Sequence, residues 1–343
     1  MPSKSEKKIK CVIWDLDNTI WDGVLIEDDE ITLRGEALDI IKTLDERGIL
    51  QSIASKNEYD IALEMLRKFN IDEYFLYPQI GWGAKSSSVK SIAESINIGM
   101  DTIAFVDDQA FERAEVIFAL PEVLAIDVVD LSSILDMPEM NPRFITEDSR
   151  IRRKMYMDDM RRNDIEKNFE GPQDEFLASL GMKVTINPVG EDDLKRVEEL
   201  TVRTNQLNST GYTYDYEELD CFRESAKHKF FIAELSDKLG TYGKIGLILI
   251  ECHDELWNIK LLLMSCRVMS RGIGTILINY ILSLAKESNV AVQAEFVPTN
   301  RNRMMYITYV FAGFREIGKT DGITILQNDL TNIQPIPDYV DLA

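Results

Sequence analysis

A chain of 343 residues, 45% of them hydrophobic and with no apolar run long enough to span a bilayer, has the makeup of a globular protein of two domains. Its 59 acidic against 38 basic residues leave a net charge of −21, which excludes the broad positive surface that nucleic-acid binding needs. Four scattered cysteines without a CxxC pair, and only two histidines, exclude a disulfide framework and a zinc site, leaving carboxylates, lysine and thiol to carry any chemistry.

The basic N-terminal stretch "MPSKSEKKIK" lacks the long apolar region of a signal peptide, so a cytoplasmic location is expected, with no membrane partner. "KCVIWDLD" reads as a strand. "EALDIIKTLDERG" has apolar residues at helical spacing and stops at Gly48. "ILQSIASKN" is a second strand, "EYDIALEMLRKFN" a helix, and "YFLYPQIGW" a short third strand or extended segment. The helix "KSSSVKSIAESIN", the strand "TIAFVDDQ", the helix "FERAEVIFAL" and the strand "VLAIDV" follow. Strands separated by helices predict an α/β domain over residues 1–140 with a parallel sheet and right-handed crossovers. Residues 141–175 form a linker dominated by the charged helix "SRIRRKMYMDDMRRNDIEKNF", whose Met/Tyr/Ile stripe reads as packing on a domain rather than as a docking site. Residues 176–343 read as an α+β domain: the strand "VTINPV", the helix "DDLKRVEELTVRTNQLN", the antiparallel strands "KFFIAELSD", "KIGLILIECHD" and "LWNIKLLLMSCRV", then the helix "GIGTILINYILSLAKES". The strand "VAVQAEFVP", the helix "RNRMMYITYVFAG" and a last strand "TILQNDL" complete it.

The stretch "VIWDLDNTIWDG" sets Asp15 and Asp17 directly after a buried strand, with Thr19 completing Asp-x-Asp-x-Thr. A strand end followed by an Asp-rich turn is the structural reading. The functional reading is a metal and phosphate site at the carboxyl edge of the sheet, where open α/β folds bind ligands. Three further features favour the second. Ser55 ends the second strand, Lys85 opens the helix after the third, and Asp107 and Asp108 end the fourth. Phosphoryl transfer calls for these residue types: a carboxylate nucleophile, a divalent cation held by oxygens, and a fixed positive charge. Mg²⁺ suits the set, with ligands from Asp15, the backbone carbonyl of Asp17, and one of Asp107 or Asp108.

In that order these motifs resemble the haloacid dehalogenase (HAD) superfamily, phosphatase branch. The resemblance implies that Asp15 is the nucleophile, Asp17 the general acid/base, and that Thr19, Ser55 and Lys85 hold the phosphate. The gaps between motifs leave no room for a large cap domain. "VIWDLDNTIWDGVLIED", "SIASKNE", "FVDDQAFERAEV", "RTNQLNST" and "LLLMSCRVMSRGIG" together resemble, over nearly the whole chain, the FkbH-like family, which pairs a HAD domain with a GNAT-like acyltransferase domain. Similarity implies an enzyme that dephosphorylates 1,3-bisphosphoglycerate and delivers a glyceryl unit to the phosphopantetheine thiol of an acyl carrier protein.

In GNAT folds one strand splays from its neighbour, the cofactor's pantetheine lies in the gap, and its pyrophosphate sits on a glycine-rich turn at a helix N-terminus. "RVMSRGIGTIL" resembles that turn, with Gly272 and Gly274 matching and Met269 standing where the pattern has Arg or Gln. The FkbH-like pattern usually has Gly at Ser270 and Glu at Gly274. Arg267, Arg271, Gly272, Gly274, Asn302 and Tyr306 are the expected contacts to carrier-borne phosphopantetheine or CoA. Cys266 is expected to accept the acyl group, with Arg267, Arg271 and the helix N-terminus favouring a thiolate. In "RTNQLNST", Asn205 and Gln206 are expected to face the glyceryl group. Cys252 beside His253 imitates a catalytic pair, but neighbours on a strand point to opposite faces. Cys11 and Cys221 read as structural. Two alternatives compete: a HAD phosphatase whose C-terminal module only binds a partner, and a CoA-dependent N-acyltransferase fused to a HAD domain.

Overall fold

The computed structural model describes residues 8–343. The expectation attached to the first residues falls on 1–7, outside that range. The chain divides into two compact units, one reaching to Met160 and the other beginning at Arg161. Residues 141–175 are therefore shared between the units, and the division falls inside the charged helix.

The first unit is built on a parallel sheet of β1 (Cys11–Trp14), β2 (Leu50–Ser55), β3 (Gln79–Ile80), β4 (Ile103–Asp107) and β5 (Leu124–Asp127), in the order β3-β2-β1-β4-β5. The crossover helices are α1 (Gly35–Glu46), α2 (Tyr59–Lys68), α3 (Lys85–Ile96) and α4 (Ala110–Ala119). Residues of β1, β2 and β4 are buried throughout, as strands covered on both faces must be. One face packs Val12, Trp14, Ile53 and Val106 against Ile40, Ile41 and Leu44 of α1. The other packs Ile13 and Phe105 against Val89, Ile92 and Ala93 of α3. Gly48 turns the chain out of α1 with φ +70°, a left-handed conformation that suits glycine. Between β1 and α1 the only sheet structure is a ribbon of two residues a side, Trp21–Asp22 against Thr32–Leu33.

The helix α5 (Arg152–Lys167) explains its own composition. In the first unit, Tyr156, Met157 and Met160 pack against the cluster of Ile13 and Phe105. Arg152 donates to the Gly48 carbonyl at 2.7 Å, and Arg153 pairs with Asp45 and Glu73 at 3.0 Å each. In the second unit, Arg162 forks onto Asp237 at 2.7 and 2.8 Å, both side chains fully buried. Most of this basic segment's arginines therefore answer internal acceptors.

The second unit carries a mixed sheet of eight strands: β6 (Met182–Pro188), β7 (His228–Asp237), β8 (Gly240–Cys252), β9 (Leu256–Met264), β10 (Ala291–Phe296), β11 (Arg315–Thr320), β12 (Ile323–Asn328) and β13 (Val340–Leu342). Their order is β11-β12-β10-β9-β8-β7-β6-β13. The helices are α6 (Gln173–Leu180), α7 (Leu194–Arg203), α8 (Tyr216–Glu224), α9 (Ile273–Glu287) and α10 (Arg303–Phe311). On one face α9 buries Ile276, Leu277 and Ile281 against Ile248 and Leu262. On the other, Val197 and Leu200 of α7 meet Leu247, Leu249 and Leu261. The parallel pairing of β9 with β10 ends at Ile259–Ala294, while β9 stays paired with β8 to Met264. The two strands diverge from that point. Among the described residues, no helix is long and apolar enough to cross a membrane.

Candidate active site

β1 and β4 lie side by side, with Trp14 opposite Val106 and the Asp15 N–H bonded to the Val106 carbonyl at 2.9 Å. This register brings the carboxylates that follow, Asp15 and Asp107, to one point on the sheet's carboxyl edge. α3 begins at Lys85, whose ammonium reaches Asp15 Oδ1 at 2.5 Å and Asp107 Oδ2 at 2.7 Å. All three residues are buried. Ser55, buried at the end of β2, favours the ionised form of Asp15. Oxygens of Asp15, Asp107 and Asp108 lie within 4.8 Å of one another. Four separated stretches of sequence thus supply one cluster, as the motif order predicts.

Burial drives the carboxyls of Asp15 and Asp107 upward, and for Asp107 the charge of Asp15 adds to it; the pull of Lys85 does not fully offset this. Asp108 is raised by burial and by Asp107. Burial alone would lower Lys85, but the two carboxylates outweigh it and hold the ammonium above its usual range. Three carboxylates against one lysine leave negative charge uncompensated at a buried point, which disfavours full ionisation unless a cation joins them.

The two aspartates of β4 are not equivalent. Asp107 has one oxygen on Lys85 and the other on the Gln109 N–H at 2.7 Å, at the start of α4. Asp108 Oδ1 is buried with no donor. An acceptor oxygen left orphaned beside two carboxylates fits a hard divalent cation, so Asp15, Asp107 and Asp108 are the residues suited to Mg²⁺.

Asp17 stands differently from its expected neighbours. Its Oδ1 accepts from Trp21 Nε1 at 2.9 Å and the Leu25 N–H at 3.2 Å, and its Oδ2 from Asn57 Nδ2 at 2.9 Å. Its carboxylate is not part of the acidic cluster. Asn57, almost fully buried, is a partner that sequence reasoning missed, although it sits in "SIASKNE" two residues after Ser55. Thr19 is fully buried in the turn made possible by Asn18 at φ +53°, and its hydroxyl has no protein partner. A buried, unengaged hydroxyl is open to a ligand acceptor such as a phosphate oxygen.

The residues singled out in the second unit are more dispersed. Cys266 lies half-buried in a single turn, Cys266–Val268, after β9. The arginines beside it have protein partners of their own. Arg267 donates to the Tyr242 carbonyl at 2.6 Å, and the buried Arg271 pairs with Glu166 at 2.9 Å over the ring of Phe176. Gly272 caps α9 at φ +72°, and a Cβ there would stand 2.9 Å from the Tyr339 hydroxyl. Gly274 lets α9 approach Thr308 and Met264, at 3.0 and 3.1 Å from a would-be Cβ. Asn302 is fully buried, with Nδ2 donating to the carbonyls of Asn208 and Val297 at 3.0 and 2.9 Å. Tyr306 stacks on Phe296 with centroids 5.3 Å apart. Asn205 is exposed and Gln206 half-exposed, whereas Asn208, Ser209 and Thr210 of the same stretch are buried. His253 is exposed and Cys252 half-buried against the core, so they form no pair.

No known protein-family profile matches the chain, and no curated protein matches it. Among solved structures it is similar to the N-terminal part of protein BF1531 from Bacteroides fragilis, containing a phosphatase domain complexed with Mg. The identity is 29%, over 42% of this chain and 42% of that one, with a TM-score of 0.34. The chain thus spans less than half of that protein's length. It is also similar to the ribosomal-protein-S18-alanine N-acetyltransferase of Escherichia coli, at 14% identity over 42% of this chain and 92% of that one, TM-score 0.34. The spermidine N-acetyltransferase of Vibrio cholerae, in complex with CoA and spermine, matches at 17% identity over 42% and 92%, TM-score 0.33.

Proposed function

We propose that the chain is a Mg²⁺-dependent HAD-type phosphatase joined to a GNAT-like acyltransferase unit, acting on a phosphorylated three-carbon acid and passing its glyceryl group to a carrier-borne thiol. The observation that carries the phosphatase half is the bridge of Lys85 between Asp15 and Asp107, with Asp108 completing an acidic triad within 4.8 Å. A bound Mg²⁺ would neutralise phosphate oxygens and keep the carboxylates ionised. Asp15 then attacks phosphorus, the bond to the ester oxygen breaks, and an aspartyl phosphate forms. Asp17 donates a proton to the departing oxygen and takes one from the water that releases inorganic phosphate. Lys85 holds Asp15 in line and offsets charge, while Ser55 and Thr19 supply hydroxyls at the site. The ribbon between β1 and α1 is too short to be a cap domain, which suits a bulky or carrier-borne substrate.

For transfer, the Cys266 thiolate attacks the acyl carbon of an acyl phosphate and expels phosphate, and the resulting thioester exchanges with the carrier's phosphopantetheine thiol. Exchange between thioesters is close to neutral in energy, so the unit supplies position rather than driving force. A second reading, a phosphatase with a partner-binding module, is favoured by the internal engagement of Arg267, Arg271 and Asn302.

Asp15→Asn removes the nucleophile and a cation ligand together. Release of the ester phosphate of 1,3-bisphosphoglycerate should stop, with kcat rather than KM carrying the loss. Excess chelator should do the same to the wild type. Full turnover under either condition would remove the basis for this assignment.

A further inference from the structure

Past Ile259 the edge of β9 is no longer paired by β10, and a strand edge of this kind presents free N–H and C=O groups to any extended chain. The protein fills the gap with itself. Leu207–Ser209 lies antiparallel to β9, with Asn208 opposite Leu263. The Met264 N–H donates to the Leu207 carbonyl at 2.8 Å and the Ser209 N–H to the Leu262 carbonyl at 2.9 Å. The Leu262 N–H, the remaining donor at this edge, is taken by Ser209 Oγ at 3.0 Å. On its far side the segment accepts the Val297 N–H at 3.0 Å, just beyond β10, and Asn302 Nδ2 holds the Asn208 carbonyl. Asn208 fixes the following turn, its Oδ1 receiving the N–H groups of Thr210 and Gly211 at 3.1 and 2.8 Å.

We propose, building on the acyl-transfer reading of the second unit, that Leu207–Thr210 is a removable strand occupying the binding cleft of an extended, amide-bearing thiol arm, and that the arm enters only as this segment withdraws. The segment is suited to leaving. It is short, lies between two helices rather than within one, and is held by main-chain bonds that an arm with its own amides reproduces. Asn208, Ser209 and Thr210 are polar and lose little hydrophobic burial on release, so Leu207, packed in the unit's core, is the main apolar cost of opening. The closed form lowers the arm's apparent affinity by the fraction of molecules that are open. An empty cleft therefore stays covered, and the β9 edge is not left as a pairing site for other chains.

Hydrogen exchange of the full chain, with and without saturating coenzyme A as the probe, tests this. Coenzyme A should deprotect the amides of Ser209, Thr210 and Val297, while Leu262 and Met264 stay protected because the arm replaces the segment as their acceptor. Asn208→Ala weakens the closed form and should bind coenzyme A about tenfold more tightly, as expected for losing hydrogen bonds worth roughly 1.4 kcal/mol. Binding that leaves 207–210 protected, weaker binding by the folded variant, or no binding by either protein overturns the proposal. If the variant does not fold, the wild-type exchange pattern decides alone. Acyl transfer is assayed separately: competition without transfer sinks the transfer reading and keeps the gate, while transfer without competition does the reverse.

Discussion

At the scale of single residues, the active edge is a problem of charge. Three carboxylates and one lysine meet where little water reaches, with Lys85 bridging Asp15 and Asp107 and one oxygen of Asp108 left without a donor. The roles of Asp15 and Asp17 should separate experimentally. Asp17→Asn keeps the size of the side chain and one acceptor oxygen for Trp21 and Leu25, while its NH2 faces the donor of Asn57. It should abolish turnover yet leave Mg²⁺ affinity within a few fold of wild type, as read by calorimetric titration. Complete loss of Mg²⁺ binding would instead put the Asp17 carboxylate among the ligands. Cys266 makes a different demand. After incubation with the acyl phosphate, intact-protein mass spectrometry should show a glyceryl increment that Cys266→Ala lacks, while that variant keeps phosphate release. An increment on another residue would make direct transfer from the phosphatase site the better account.

At the scale of elements, the end of α5 is bound into the second unit by the pair of Glu166 with Arg271 and, more deeply, by the fully buried pair of Arg162 with Asp237. Arg162 forks onto Asp237 and stacks over Tyr242 at 3.8 Å, and the Tyr242 hydroxyl and the N–H groups of Leu239 and Gly240 complete the carboxylate's partners. Burial alone would raise the Asp237 carboxyl, but the hydrogen bonds and charge of Arg162 outweigh it and hold it below the usual range. A carboxyl depressed in the fold stabilises above its unfolded pKa, near 4, and that contribution fades as pH falls through the folded value. Arg162→Met leaves a buried carboxylate unpaired and should cost about 3 kcal/mol or more at pH 7. The gap to wild type should narrow between pH 7 and an acid pH below the depressed folded value of Asp237, where the carboxyl becomes protonated. Denaturant titrations at the two pH values measure it, and a gap independent of pH would mean that the loss is one of packing.

At the scale of the whole molecule, each unit has its own core and its own sheet. Two unfolding transitions should therefore be resolved by calorimetry. Only the first unit carries the acidic triad, so Mg²⁺ at a hundredfold excess over Kd should raise one transition, stabilising that unit by about 2.7 kcal/mol, and leave the other in place. A single transition that moves as a whole would show that the units unfold together.

What the sequence determined by itself is local chemistry and period. The buried runs "CVIW", "LQSIAS" and "IAFVD" could only be interior strands, and Asp15, Ser55, Lys85 and Asp107 followed from their positions at strand and helix ends. Two elements left unread carried legible signals. α8 opens on the reciprocal pair Asp215 and Glu218, and α6 ends on Gly181 at φ +61°. Others carried none. β11 is exposed at every residue, and β13 is three residues long, so their existence depends on the strands they pair with. Tertiary structure alone decided how partners are assigned. It gave Asp17 to Asn57, left an open oxygen on Asp108, and turned Arg271 toward Glu166. It also ended α7 at Arg203 and laid "LNST", whose first two residues read as the end of that helix, into the edge of β9. Hydrogen bonds between residues far apart in the chain depend on strand register and divergence, and no local pattern of residue types encodes where two strands part.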